Sequence, residues 1–487
     1  MHDARQLRGT KTNRKWWTLA SVTVAMFMIM LDNTIVTVAL PAIQRGIGAT
    51  LSQLEWVVSA YALVFAVFLL FGGKIADFLG RRLIFQAGLV VFTLSSLWCG
   101  LSGSGGELIA ARSVQGFGAA VMIPATLSII AEAFEPHERG SAFGIWAGIS
   151  SVALAIGPLV GGILVDYIHW SWIFFINVPV GAVGLAASFV FIAESRDTSA
   201  DQSLDLTGLA TSGGAMFLLV FALIEANSRG WGSLTIVLCF IGAAILFGAF
   251  VLIEHRGRVP MIDLSLFRGA TFVGGLTCGL LILCALFAFI FFMSIYLQSI
   301  RGYSPVQAGS IFLFSTVALM STAPIGGKLS DRIGGRLPIA LGAGVFGVTL
   351  VVMSTLISTD VAIWKLFPWI FVGGLGYGLI QAPATTLVVG AVSPEKSGIA
   401  SALMQTSRQL GGALGVAISG AIVAAYTASL SIRDPRYGPE FTSGLKASML
   451  FAGATAIGVT ALALTLIRKR PQVAPLGEGE LPAVPPA

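Results

Sequence analysis

Apolar runs of about twenty residues, separated by short polar breaks, recur along almost the whole chain, and each is long enough to make one transmembrane helix. Fourteen such runs are read at 17–40, 54–72, 84–102, 107–133, 141–164, 172–193, 207–226, 234–254, 271–297, 306–325, 338–358, 366–390, 397–426 and 445–467. The pair at 207–254 is divided only by NSRGWGS. The pattern predicts an all-α integral membrane protein. A polar segment, 1–16, precedes the first run. The stretch PQVAPLGEGELPAVPPA from Pro471 has no apolar periodicity, so 468–487 reads as a disordered tail.

The runs repeat. GKIADFLGRR (Gly73 to Arg82) follows the second run, and GKLSDRIGGR (Gly327 to Arg336) follows the tenth. IPATLSIIAEAFEP (Ile123 to Pro136) is echoed by APATTLVVGAVSP (Ala382 to Pro394), so the offsets stay near 254–259 residues. One six-helix unit duplicated in parallel, with two helices inserted between the copies, would produce this spacing. The bundles then fall at 17–193 and 271–467, with the inserted pair at 207–254. Parallel halves related by an axis along the membrane normal are a known transporter design, with the substrate site between them near the midplane.

Composition agrees. Charged residues make up 11% of the chain, against about 25% in ordinary soluble domains, and mean hydropathy is +0.88, which excludes a water-soluble globule. A net charge of +6 could suggest nucleic acid, but the basic residues form no patch with interleaved aromatics. They mark orientation instead. With the N-terminus inside, 20 of the 29 Lys and Arg fall on inward segments and 7 on outward ones, which predicts a multi-pass protein of the cell inner (plasma) membrane with both termini cytoplasmic. The four cysteines lie in apolar runs without metal-ligand spacing, and no Walker-type phosphate loop is present. No metal, cofactor or enzymatic centre is expected.

Ionisable groups inside the runs are therefore the candidate chemistry. A carboxylate at bilayer depth costs about 2.5–3.5 kcal/mol on insertion scales, so Asp32 in LDNTIVTVALP is expected to face a polar cavity or a partner, sheltered between the two bundles. At about 1.5 Å per residue, Asp32 on the outward-running first helix and Arg112 on the inward-running fourth reach similar depth in the outer half. They are expected to couple directly, through water or through Gln115, with Asn33 and Thr34 as polar support. Burial disfavours a charged acid and a neighbouring arginine favours it, so a helix movement that changes this balance takes up or releases a proton. All four histidines lie outside the runs, which leaves a carboxylate as the carrier. Glu225, ending the seventh run, is a second candidate acid in a helix expected to pack outside the transport core. Arg408 in the thirteenth run, beside Gln405 and Gln409, is a candidate cavity or gating residue.

With these motifs on the page, the chain resembles the major facilitator superfamily, and within it the fourteen-span drug:proton antiporters. The Gly-x-x-x-Asp-x-x-Gly-Arg-Arg loop, LDNTIVTVALP, LIAARSVQGFGAA (Leu108 to Ala120), GPLVGG (Gly157 to Gly162) and WSWIFFINVPVG (Trp170 to Gly181) carry the resemblance in order. Where family members usually carry Asn, this chain has Thr37. The resemblance implies a major facilitator fold of fourteen helices. It also implies a cytoplasmic latch of Gly73, Asp77, Gly80 and Arg81, with Glu132 as the acid met by Arg81 and Asp331 as the repeat's acid. Gly157, Pro158, Gly161 and Gly162 stand at the antiporter motif of helix five, where small residues permit close packing. The implied activity is proton-coupled export of amphipathic, often cationic, drug-like molecules by alternating access. Dedicated export of one endogenous metabolite, antibiotic, siderophore or lipid is the alternative. The lipid bilayer and protons are the expected partners, with an adaptor protein as an optional one and a monomer otherwise.

Overall fold

The structure is a computed structural model that describes residues 2–135, 138–196, 205–257, 264–392, 397–427, 430 and 434–467. The proposed tail 468–487 therefore lies outside the described residues. The first half contains α1 (His2–Ile47), α2 (Leu51–Leu79), α3 (Arg81–Leu101), α4 (Gly105–Ala133), α5 (Arg139–Tyr167), α6 (Trp172–Phe175) and α7 (Asn177–Phe191). Next come α8 (Leu206–Arg229) and α9 (Leu234–Arg256). The second half contains α10 (Ala270–Ile295), α11 (Pro305–Ile333), α12 (Arg336–Leu356), α13 (Phe367–Val389), α14 (Ser397–Thr427) and α15 (Tyr437–Leu466).

Thirteen spans are long and apolar enough over the described residues to cross a membrane, with α6 and α7 together forming one of them. The remaining long helix, α5, has 29 residues, of which Ile156–Tyr167 form its described apolar stretch. The fourteen expected runs thus correspond to the observed long helices. Boundaries differ at several places, with α2 and α11 running on to Leu79 and Ile333. α1 reaches back to His2, α15 begins at Tyr437 rather than 445, and the sixth run is divided between α6 and α7 at Ile176.

Local chemistry explains how the duplication reproduces itself. α2 and α11 open with the same capping box, Thr50 with Gln53 and Ser304 with Gln307, in which side chain and backbone satisfy each other's open donors. Both helices end at a glycine with positive φ, Gly80 at +121° and Gly334 at +81°, a backbone state that side chains resist. Glycines also set the packing. A Cβ at Gly116 would lie 2.5 Å from Tyr61 O, and one at Gly88 would lie 2.9 Å from Gly118 O. In the second half a Cβ at Gly342 would lie 2.5 Å from Gly376 O, so α12 sits on α13 as α3 sits on α4. In lipid, such backbone contact supplies association that the hydrophobic effect cannot.

Within each half the pairings match: α2 with α4 as α11 with α13, and α1 with α5 as α10 with α14. The halves meet along two seams, α2 against α14 and α5 against α11. α8 packs on α9 and on both α2 and α14, so one inserted helix bridges the halves instead of standing clear of them. Hydrogen bonds between described residues of the two halves lie at the end away from the Gly80 and Gly334 turns, or near mid-depth. At that far end Gln298 Nε2 donates to Val38 O at 2.7 Å and Val306 N donates to Asp166 Oδ2 at 3.0 Å. The deepest is Thr406 Oγ1 to Ala66 O at 3.4 Å. Nearer the basic end, where the Gly80 and Gly334 turns lie, Gly148 of α5 borders open space and Ile145, Ile149 and Val152 are exposed.

Candidate functional site

Asp32 is fully buried, and its direct partners come from two other helices, α4 and α7. Arg112 of α4 reaches it with Nη1 to Oδ2 at 2.5 Å. Gln115, one turn along α4, donates Nε2 to Oδ1 at 3.0 Å while accepting from Arg112 Nη1 at 2.6 Å. Asn177, the first residue of α7, donates Nδ2 to the same Oδ1 at 3.1 Å. Ser96 of α3 closes the ring, accepting from Asn177 at 3.0 Å and from Gln115 at 3.3 Å, and donating to Phe174 O at 3.0 Å. α2 supplies the last wall: Arg112 Nε donates to Val57 O at 3.2 Å, and the guanidinium lies 4.2 Å from the centre of the Tyr61 ring.

The acid thus has a partner rather than a cavity. It sits among α1, α2, α3, α4 and α7 of the first half, not between the two halves as the sequence suggested. The physical reason is the cost of a buried charge, which a guanidinium and two amide donors offset far better than a dry interhelical space. Asn33 and Thr34, next along α1, are half-buried; Thr34 Oγ1 bonds to the α1 backbone, and Thr37 donates to Thr34 O at 2.7 Å. The second half lacks this network at the matching place. The position 258 residues beyond Arg112 on α13 is Ile370, buried and apolar.

Gly157 and Gly161 of α5 lie against Thr34 and Ile35, just past Asp32 on α1. One residue further, a Cβ at Gly162 would lie 2.6 Å from Pro305 O of α11, and Gly309 of α11 packs in return on Pro158 O. One face of α5 therefore grips the helix that carries Asp32, and its neighbour grips the other half.

Other sequence candidates fall elsewhere. Arg408 is half-buried and donates through Nη2 to Gln381 Oε1 of α13, whose Nε2 in turn bonds to the Tyr377 hydroxyl. Its recorded partner is Gln381, not the neighbouring Gln405 or Gln409; Gln409 is buried and Gln405 half-buried. Glu225 accepts from Ser52 Oγ at 2.8 Å, Trp56 Nε1 at 3.4 Å, Ser228 Oγ at 3.1 Å and Arg229 Nε at 3.3 Å. At the basic end Arg81 Nη1 lies 3.4 Å from Glu132 Oε2. The side chains of Asp77 and Asp331 lie outside the described residues. The glycine that close packing requires here is Gly72, whose Cβ would lie 2.6 Å from Ala120 O. Gly73 has ordinary room.

Three participants escaped the sequence reading. Asn177 lay in a quoted motif without a role, although an amide in an apolar run is itself a signal. Glu194 accepts from the backbone N–H of Arg82 at 3.1 Å and of Leu83 at 3.2 Å, an acid at the positive end of α3. Glu55, an acid one turn inside α2, is almost fully buried and was read as part of a plain apolar span.

Two pseudo-symmetric helical halves, with a charge network sealed inside one of them, have the architecture of a membrane transporter. The chain belongs to the Major Facilitator Superfamily, whose profile matches residues 22–416. It is similar to the tetracenomycin C resistance and export protein of Streptomyces glaucescens, 35% identical over 91% of this chain and 82% of that one. It is likewise 35% identical to the multidrug resistance protein Stp of Mycobacterium tuberculosis, over 84% of this chain and 76% of the relative. Among solved structures, a bacterial homologue of the human lysosomal transporter Spinster shares the fold, with TM-score 0.64 at 18% identity, covering 93% of this chain and 96% of its own.

Proposed function

We propose that this protein is a proton-coupled exporter of amphipathic, often cationic, drug-like molecules, working by alternating access with its basic end and both termini in the cytoplasm. The observation that carries the reading is the Asp32–Arg112–Gln115–Asn177 network, buried on the helix that α5 ties to the opposite half. Protonating Asp32 cancels its attraction for Arg112, which falls back on Gln115, Val57 O and the Tyr61 ring. α1 is then held less firmly to α4, and its contact with Gly157 and Gly161 passes the change to α5 and the α11 seam. A proton entering down the membrane potential contributes about 2.3 kcal/mol per 100 mV, sufficient for uphill efflux without nucleotide hydrolysis. The relatives' names support a drug or antibiotic as cargo.

The test is substrate-driven proton movement in proteoliposomes, wild type against Asp32→Asn. The variant is expected to insert normally and to lose coupled efflux. Full coupled efflux by the variant contradicts the assignment. A relative named for export of one antibiotic favours a second reading, a dedicated exporter. A panel of unrelated dyes in everted vesicles separates the two: several transported dyes support the broad exporter, and a single responder supports the dedicated one.

A further inference from the structure

Glu55 is 2% exposed, and its carboxyl is pressed against Gly420 of α14 so closely that any side chain at 420 would overlap it. No hydrogen bond reaches this carboxyl from any described residue. The hydroxyls of Ser59, one turn along α2, and of Ser419, beside Gly420, are buried without described partners. An acid without a hydrogen-bond donor is thus all but buried in one of the two seams by which the halves meet.

The charged groups around it offer no compensation. α14 carries no Lys, Arg, Asp or Glu from Gln409 to Thr427. From α8 comes Glu225, a like charge already held by Ser52, Trp56, Ser228 and Arg229. From α4 come Glu107, held by Trp98 Nε1 and Gly103 N, and Arg112, occupied by Asp32 and by Val57 O, with the titratable Tyr61 of α2 against it. On α1 the exposed Arg45 bonds to Pro41 O, and the charges of α3, Arg81 and Arg82, stand at the opposite end. α8 itself is fastened across the same place, Asn227 Nδ2 donating to Ala421 O at 2.5 Å. Packing does not demand an acid here. The position 254 residues on from Glu55, in the pseudo-equivalent seam, is Gly309 against Pro158 O.

An ionised carboxylate held in such a seam without a donor is strongly disfavoured, a penalty the neutral acid avoids. We propose that Glu55 is a second proton-binding site, loaded from the far side of the membrane, and that only its neutral form lets the α2–α14 seam close. When the seam opens, water reaches the carboxyl and the proton leaves to that side. When the carboxylate regains a proton, the halves come together over it. External protons thereby favour the closed far end. The inference rests on the alternating access proposed above but not on the role given to Asp32.

The test is the far-end distance between nitroxides at Tyr167→Cys and Trp364→Cys, both exposed in the wild type, in nanodiscs with the native cysteines replaced by alanine. Lowering pH from about 9 to about 5, the range over which buried acids titrate, is expected to move the population from long to short distances. Glu55→Gln is expected to stay short throughout, and Glu55→Asp to keep the titration. A pH-independent distribution in the starting protein, or a Glu55→Gln protein that titrates like it, overturns the proposal. Should Glu55→Gln fail to fold, Glu225→Gln replaces it: losing the like charge is expected to move the midpoint to lower pH, and an unmoved midpoint overturns the proposal. Failure of the Asp32 reading would look different, as coupled efflux indifferent to Asp32→Asn with the Glu55-dependent distances intact.

Discussion

At the scale of single residues, the buried pair makes a stability statement that can be separated from transport. Removing one member of a buried ion pair strands the other at a cost of about 3–5 kcal/mol. Arg112→Leu should therefore lower the thermal unfolding midpoint in detergent well below that of the wild type, and adding Asp32→Asn should restore most of the loss without restoring coupled efflux. A double variant no more stable than Arg112→Leu would argue against the pair. Asn177→Ala removes one of three hydrogen bonds to the Asp32 carboxylate, each about 1.5–3 kcal/mol for a charged acceptor. The expected result is a shifted pH profile of efflux with the protein still folded. Asp32 and Arg112 were legible because a charge in an apolar run advertises its own cost, and Gln115 because it stands one turn from Arg112. Asn177 and Ser96 were not, because neither stands a turn from a charge, and their partners show only when distant parts of the sequence converge. Glu55 was legible in principle, since it obeys the same rule as Asp32. It went unread because it stands second in an otherwise apolar run, 54–72.

At the scale of elements, α5 is the part whose sequence and packing agree most closely. Small residues at 157, 161 and 162 were read as permitting close approach, and each glycine faces a backbone or side chain that a Cβ would strike. Which neighbour each one meets was not legible, since periodicity gives a face but not a partner. Gly162→Leu should hold α5 away from Pro305 and Val306 of α11 and prop the far end open, reducing efflux tenfold or more. Labels at the far end should report longer distances than in the wild type; unchanged distances would deny the seam its role. At the basic end Glu194→Ala removes the acceptor from the first turn of α3, which costs about 1 kcal/mol by analogy with lost caps. Thermal unfolding reads this as a small decrease. The inserted α8 was expected outside the transport core, but it touches both halves through α2 and α14. Its apolar composition gave no hint of this, because a helix facing lipid on one side and two bundles on the other looks uniformly hydrophobic.

At the scale of the whole molecule, duplication was the most readable feature: two copies of a loop and a helix at nearly one offset, answered by two sets of matching helix pairs. The break in that symmetry is what gives the molecule a direction. The first half carries the Asp32 network where the second has Ile370, and one seam holds Glu55 where the other holds Gly309. Asp32 lies sealed in one half, so the control proposed for it passes through helix movement and not through direct contact with both. The central claim is that its protonation drives that movement. Paired transport assays on Asp32→Asn measure it most directly: substrate–substrate exchange without a gradient beside accumulation driven by an imposed proton gradient. Retained exchange with abolished gradient-driven accumulation is the predicted result. Accumulation that follows the proton gradient as strongly as in the wild type would contradict it.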